Sequence, residues 1–318
     1  MKYVSLYHLA RIPPLTAWSV CGLVIAAAVA IYGYGISEVN WWFFGLVALA
    51  GVLVQYVAHP LNDLMDLEVD REAKIDETSR SKVLLNGMAT PAELKILSVA
   101  IIAIVLGIVV YLSLALPLIP VFAAIGLVGL VGYNYWPLRL AYHPFAEWYL
   151  GIPTNMALVV AAVYAGTGGV TLLAILFGLI HAFAVGTFFV TMMSMDYFSD
   201  VRNGKVTTVG MFPRGDPCRF FAMAGLVVTL AAYWFYIGFV VIPPLNLVLF
   251  GTSLLIFWKL ADLGGKADAF RHYALRADGG LDRFEEGTNL IRMEQLKIGI
   301  LHAALISLFL IFGHLVAV

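Results

Sequence analysis

The sequence predicts an all-α polytopic membrane protein, with nine transmembrane helices bundled around a central cavity that opens to the cytoplasm. Three observations predict it. Of the 318 residues, 62% are hydrophobic and 12% charged, where soluble domains carry roughly 45–50% and about 25%. The apolar residues gather into runs close to the ~20 residues that fill a bilayer core. The charges are not scattered either: two short acidic clusters and the basic residues collect at alternate connectors.

In order, the predicted spans are roughly 14–36, 41–58, 94–116, 118–135, 145–165, 170–195, 220–240, 244–260 and 298–318. No small-residue cleavage site follows the opening residues, so the first span reads as a retained helix rather than a removed signal peptide. Short connectors at 37–40, 117, 166–169 and 241–243 pair the spans. With the amino terminus in the cytoplasm, all 19 Lys and Arg residues lie at or near the cytoplasmic side, and the short connectors carry none. That is the positive-inside pattern; it places the carboxyl terminus outside, in the cell membrane. Gly126, Gly129 and Gly132 in the fourth span are expected at close helix contacts. Residues 261–297 read as a long loop with amphipathic stretches at 270–276 and 281–297, suited either to a lid over the cytoplasmic mouth or to lying on lipid headgroups. The whole chain, 1–318, reads as one domain. Cys21 and Cys218 supply neither a disulfide framework nor metal-site spacing. No nucleic-acid partner is expected.

The chemistry lies in the connectors. Asn62-Asp63-Leu64-Met65-Asp66-Leu67-Glu68-Val69-Asp70 follows the second span, and Asp196-Tyr197-Phe198-Ser199-Asp200 follows the sixth. A carboxylate buried in a membrane helix costs roughly 2.5–3.5 kcal/mol, so such acids usually face a functional cavity. On a helix Asp63, Asp66 and Asp70 share one face, with Asn62 beside them, and Asp196 and Asp200 stand one turn apart. The threading puts both clusters on the cytoplasmic side, and an error of one span between them would separate them. Converging carboxylates repel unless cations join them, and oxygen-only ligands favour Mg²⁺ bound together with substrate phosphates. Arg71, Lys74, Arg80 and Lys82 follow the first cluster, and Arg202 and Lys205 the second; such bases suit a diphosphate.

Asn-Asp-x-x-Asp-x-x-x-Asp at 62–70 with Asp-x-x-x-Asp at 196–200 resembles the UbiA-type intramembrane prenyltransferase superfamily. Its nine-helix layout, with both motifs in cytoplasmic loops (here 59–82 and 196–208), matches essentially the whole chain. The resemblance implies Mg²⁺-dependent transfer of an isoprenoid chain from its diphosphate donor to an acceptor, usually an aromatic ring. It implies that Asn62, Asp63, Asp66 and Asp70 bind one metal–diphosphate, and Asp196 and Asp200 a second Mg²⁺, with Asp66 and Asp70 counted as catalytic. The basic slot before Gly87 falls on Lys82, where the family's Arg-Pro is Lys82-Val83; Arg80 is the alternative. Gly204-Lys205-Val206-Thr207 is similar to the Gly-Lys-x-Thr after the second motif and implies diphosphate contact and catalysis by Lys205. A third aspartate often seen in that motif is absent. The stretch from Tyr133 to Arg139 resembles the family's Tyr-x-x-Pro border of the reaction centre. Tyr133 and Tyr135 offer electron-rich faces to an allylic cation, or serve as interfacial aromatics. Gln55, seven residues before Asn62, resembles the menaquinone-pathway (1,4-dihydroxy-2-naphthoate) branch, although that branch usually has Asn where His59 stands. His59 is either a proton acceptor or a support for the motif, and Glu147 is a further acid at a span edge.

The functional expectation is prenyl transfer to an aromatic acceptor in quinone biosynthesis, of menaquinone or ubiquinone type. A lipid-forming enzyme acting on a glyceryl phosphate is the nearest alternative. An ion-coupled transporter would place its acids near the bilayer midplane; a CDP-alcohol phosphotransferase would need an Asp-Gly arrangement that the first cluster lacks.

Overall fold

A computed structural model describes residues 15–67, 83–85, 87–135, 138–202, 204–241, 243–276 and 281–317. Among them there are helices and no strand. Helices α1 (Leu15–Tyr34), α2 (Trp41–Met65), α3 (Pro91–Ser113) and α4 (Ile119–Asn134) are followed by α5 (Ile152–Thr167) and α6 (Leu172–Met195). Two short helices, α7 (Tyr197–Arg202) and α8 (Thr208–Met211), precede α9 (Pro217–Ala232), α10 (Pro243–Ala274) and α11 (Leu281–Ala317).

Local chemistry explains the boundaries. Asn40, Thr90 and Thr171 cap α2, α3 and α6, each accepting a hydrogen bond from the backbone three residues on. Thr90 and Glu93 complete a reciprocal capping box, which satisfies two otherwise orphaned donors. Pro153 lacks an N–H, so a regular ladder cannot run through it. The π-turn Glu147–Gly151 ahead of α5 takes up the break, with Ile152 donating back to Glu147. Such wide turns recur at functional sites.

Helix α6 is the centre of the bundle, touching α1, α5, α9, α10 and α11. Along it Phe177, Ile180, Ala182, Phe188 and Val190 are fully buried. Helix α1 packs on α11 and α5, α9 on α10, and α2 on α3 and α5. Among the described residues, eight helices are long and apolar enough to cross a membrane. The expected fourth span is shorter: α4 has 16 residues, a rise of about 24 Å against a core of ~30 Å.

Three expectations are corrected. Residues 261–274 are not loop but the continuation of α10, and 281–297 form the first half of α11. Asp262 and Lys266 are exposed there, while Ala261, Gly264, Ala267, Asp268, Arg271 and Ala274 carry the buried stripe onward. The connector 59–82 begins inside α2, which runs through His59, Asn62 and Asp63, and α7 occupies part of 196–208. Of the three fourth-span glycines, Gly129 packs on Thr154 and Gly132 faces Leu138, but Gly126 has nothing within 4 Å.

Candidate active site

Helices α2 and α6 both end in carboxylates. Asp66 caps α2 and Asp196 caps α6, and neither helix has a base in its last turn. A helix C-terminus already carries about half a negative charge, which disfavours acids there by roughly 0.3–1 kcal/mol unless a cation joins them. Asp63, Asp66 and Asp200 are nevertheless buried.

The second cluster is built by one turn of α7. Asp200 N donates to Asp196 O at 2.9 Å, so the two aspartates stand one turn apart. Gly204 then takes a positive φ of 69°, open to glycine at no steric cost. That reversal brings Lys205 N to Asp200 O at 2.8 Å and its ammonium to 3.3 Å from Asp200 Oδ1.

Tyr142 joins the two clusters. Its hydroxyl donates to Asp66 Oδ1 at 3.1 Å, while Asn62 Nδ2 donates to Asp66 Oδ2 at 2.8 Å. The Arg139 guanidinium lies 4.1 Å from the Tyr142 ring centre and the Lys205 ammonium 5.6 Å, within the range of cation–π attraction. Arg139 and Phe145 flank this tyrosine with φ of 42° and 66°. Non-glycine residues adopt such left-handed backbone at a cost of about 1–2 kcal/mol, and strain of this kind concentrates at functional sites.

Electrostatics tie the groups into one field. The charges of Lys205, Asp200, Asp66 and Asp196 all act on the Tyr133 hydroxyl. Burial pushes the Asp200 carboxyl up to about 7; Lys205 opposes the shift, and Asp196 and Asp66 add to it. Burial works against the Lys205 ammonium, yet Asp200, Tyr133, Asp66 and Asp196 hold its pKa above the usual range. Burial and then the Asp66 carboxylate raise the Tyr142 phenol. Several acids thus surround one half-buried lysine, and their donor set is all oxygen: the chemistry fits a hard divalent cation. Among the described residues no three His, Cys, Asp or Glu stand close enough to hold a metal unaided, so a bound ion would draw further oxygens from a ligand.

The structure therefore brings together Asn62, Asp66, Tyr133, Arg139, Asp196, Asp200 and Lys205. Asp63 and His59 are buried on the last turns of α2, and Gln55 is half-buried two turns earlier. Arg202 is exposed at the end of α7. Tyr135 packs in a side cluster with Val57 and Leu61, and its carbonyl accepts from Arg139 N at 2.8 Å, so it shapes the turn. Glu147 is buried and accepts a hydrogen bond from Thr208 Oγ1, which itself accepts from Phe145 N at 2.6 Å. Asp70, Arg71, Lys74, Arg80 and Lys82 lie outside the described residues. Sequence reasoning missed Tyr142 and Thr208. It also missed Asp268 and Arg271, whose signal was available as an acid and a base at i,i+3 on an apolar helix.

The helical bundle, with two helices ending in carboxylates near one lysine, has the donor chemistry that suits a cation and an anionic ligand. The match to known proteins agrees: residues 15–277 fit the UbiA prenyltransferase family, and the chain belongs to that family and is a prenyltransferase. Among solved structures, a UbiA homologue from Aeropyrum pernix K1 is 20% identical with a TM-score of 0.61, covering 93% of this chain and 97% of that one. A UbiA homologue from Archaeoglobus fulgidus is 16% identical at 0.59, covering 94% and 99%; another structure of an Archaeoglobus homologue, bound to GPP and Mg²⁺, scores 0.56 at 19% identity with the same coverage. A structure of digeranylgeranylglyceryl phosphate synthase is 14% identical at 0.57, covering 94% and 97%. No curated protein sequence matches.

Proposed function

We propose that the chain transfers a polyprenyl group from its diphosphate to an aromatic acceptor of the menaquinone or ubiquinone type, with Mg²⁺. The observation that carries this reading is the meeting of Asp66, Asp196 and Asp200 around Lys205 and Tyr142. The Mg²⁺ and GPP bound by the Archaeoglobus homologue support the donor chemistry. In this reading Asn62, Asp63, Asp66 and Asp70 hold one metal–diphosphate, and Asp196 and Asp200 hold a second ion. When bound, Mg²⁺ neutralises the diphosphate and eases its departure. Lys205 donates to a diphosphate oxygen, a charge-assisted bond worth about 1.5–3 kcal/mol; Arg71, Arg80, Lys82 and Arg202 are the further basic candidates. Tyr133 offers an electron-rich ring to the developing allylic cation, and the apolar bundle holds the isoprenoid tail and excludes water.

The same reading counts α4 as a ninth span and faces the site to the cytoplasm. Its support is parity: if α4 did not cross, the ends of α2 and α6 would lie on opposite faces, whereas Tyr142 touches Asp66 of one and lies near Lys205 of the other. The likeness to digeranylgeranylglyceryl phosphate synthase supports a second reading, transfer to a glyceryl phosphate. Purified protein, labelled geranylgeranyl diphosphate and Mg²⁺ should give product with an aromatic acceptor such as 1,4-dihydroxy-2-naphthoate or 4-hydroxybenzoate. Product with a glyceryl phosphate alone selects the second reading, and no transfer to either contradicts both.

A further inference from the structure

We propose that Arg271 and Asp268 form a positioning clamp that holds the second acidic cluster in its binding geometry; this rests on the reading of Asp196 and Asp200 as part of the donor site. Both side chains are completely buried, and Arg271 Nη1 lies 3.1 Å from Asp268 Oδ1. A buried ion pair is a poor source of stability, since apolar residues of similar volume often serve as well. Its use here is geometric. The same Nη1 donates to Ser194 Oγ at 2.9 Å, Nη2 to Gly215 O at 2.6 Å and Nε to Pro213 O at 3.4 Å. The guanidinium also lies 6.0 Å from the Tyr197 ring centre.

These partners are the two ends of one segment. Ser194 and Tyr197 flank Asp196, while Pro213 and Gly215 close the stretch that has carried Asp200 and Lys205. One planar fork therefore ties off a connector of about twenty residues, whose ends would otherwise pay the entropy of loop closure. Asp268 anchors the far side. Its Oδ2 accepts from Arg219 N at 3.0 Å and its Oδ1 from Cys218 N at 3.4 Å, taking the place of a cap at the start of α9, where Asp216 makes no side-chain cap bond. Gly264, one turn earlier on α10, permits the approach: a Cβ there would stand 2.9 Å from the Cys218 carbonyl. Lysine cannot reproduce this set of contacts, because an ammonium is a point donor without the fixed fork.

The test compares Arg271→Lys, Ser194→Ala and Asp200→Asn in purified full-length protein, reading the donor constant, the Mg²⁺ concentration for half-maximal rate, the acceptor constant and the thermal midpoint. Arg271→Lys should raise the donor and Mg²⁺ values about tenfold and leave the acceptor constant unchanged. Ser194→Ala deletes one bond to the clamp and should move the same two values a few-fold; it decides the matter should Arg271→Lys fail to fold. Wild-type donor and Mg²⁺ values in the folded clamp variants, whether or not the midpoint or turnover falls, overturn the clamp if Asp200→Asn raises those values. If Asp200→Asn itself leaves them unchanged, the underlying donor-site reading fails instead, and the clamp with it.

Discussion

At Asp66 both carboxylate oxygens are engaged, one by the Asn62 amide and one by the Tyr142 hydroxyl, so the side chain is aimed before any ligand arrives. Tyr142→Phe removes one of those bonds and keeps the ring beneath Arg139 and Lys205. It should weaken donor binding several-fold with little change in thermal midpoint, whereas Tyr142→Ala also removes the cation–π platform and should weaken it further. Lys205→Gln loses a charge-assisted bond of about 1.5–3 kcal/mol and should raise the donor constant by on the order of ten- to a hundred-fold; the acceptor constant should stay put. Steady-state constants for both substrates check each variant, and an unchanged donor constant for Lys205→Gln would leave that lysine to membrane topology alone. Asp66, Asp200 and Lys205 were legible in the sequence because charge is expensive in so apolar a chain. Tyr142 was not: it is one of 15 tyrosines, and it reaches Asp66 from a single 3-10 turn, Leu140–Tyr142, entered through left-handed backbone at Arg139, which no local pattern announces.

Helix ends, more than helix middles, separate expectation from structure. The apolar runs were readable because they match the bilayer, and the capping residues Thr90 and Thr171 mark where two of them begin. The C-terminal half of α10 and the N-terminal half of α11 were not, because polarity was read as loop while, in α10, Gly264, Asp268 and Arg271 continued the buried stripe. Glycine positions give a test with opposite signs. A Cβ on Gly299 would collide with the Trp18 ring, where α11 meets α1, while Gly126 has open space around it. Overpacking a tight contact typically costs about 1–3 kcal/mol, whereas Gly to Ala in an unhindered helix gains roughly 0.5–1 kcal/mol. Gly299→Ala should therefore lower the thermal midpoint in detergent and Gly126→Ala should hold or raise it; equal effects would remove close packing as the reason for Gly299.

For the whole molecule, alternation of charge predicts orientation. If α4 crosses, every Lys and Arg falls at or near one side; single cysteines placed beside Asp63 and Asp200 should then resist a membrane-impermeant thiol reagent added outside intact cells, while a cysteine at Ser37 should react. Strong labelling at either acidic site would reverse the arrangement. The membrane class and the pairing of two acidic clusters were legible at this scale because parity and charge act over the entire chain. The contacts that join the clusters were not, since Tyr142 lies 76 residues from Asp66 and Arg271 lies 77 from Ser194, pairings that only the packed bundle creates. In the proposed function both clusters serve one cation-dependent diphosphate site. Equilibrium binding of labelled geranylgeranyl diphosphate across a Mg²⁺ titration, in wild type, Asp66→Asn and Asp200→Asn, tests it most directly. A single Mg²⁺-dependent site, weakened by each substitution although they lie on different helices, is the expected result; Mg²⁺-independent binding, or a folded Asp66→Asn or Asp200→Asn variant that binds as wild type does, would overturn it.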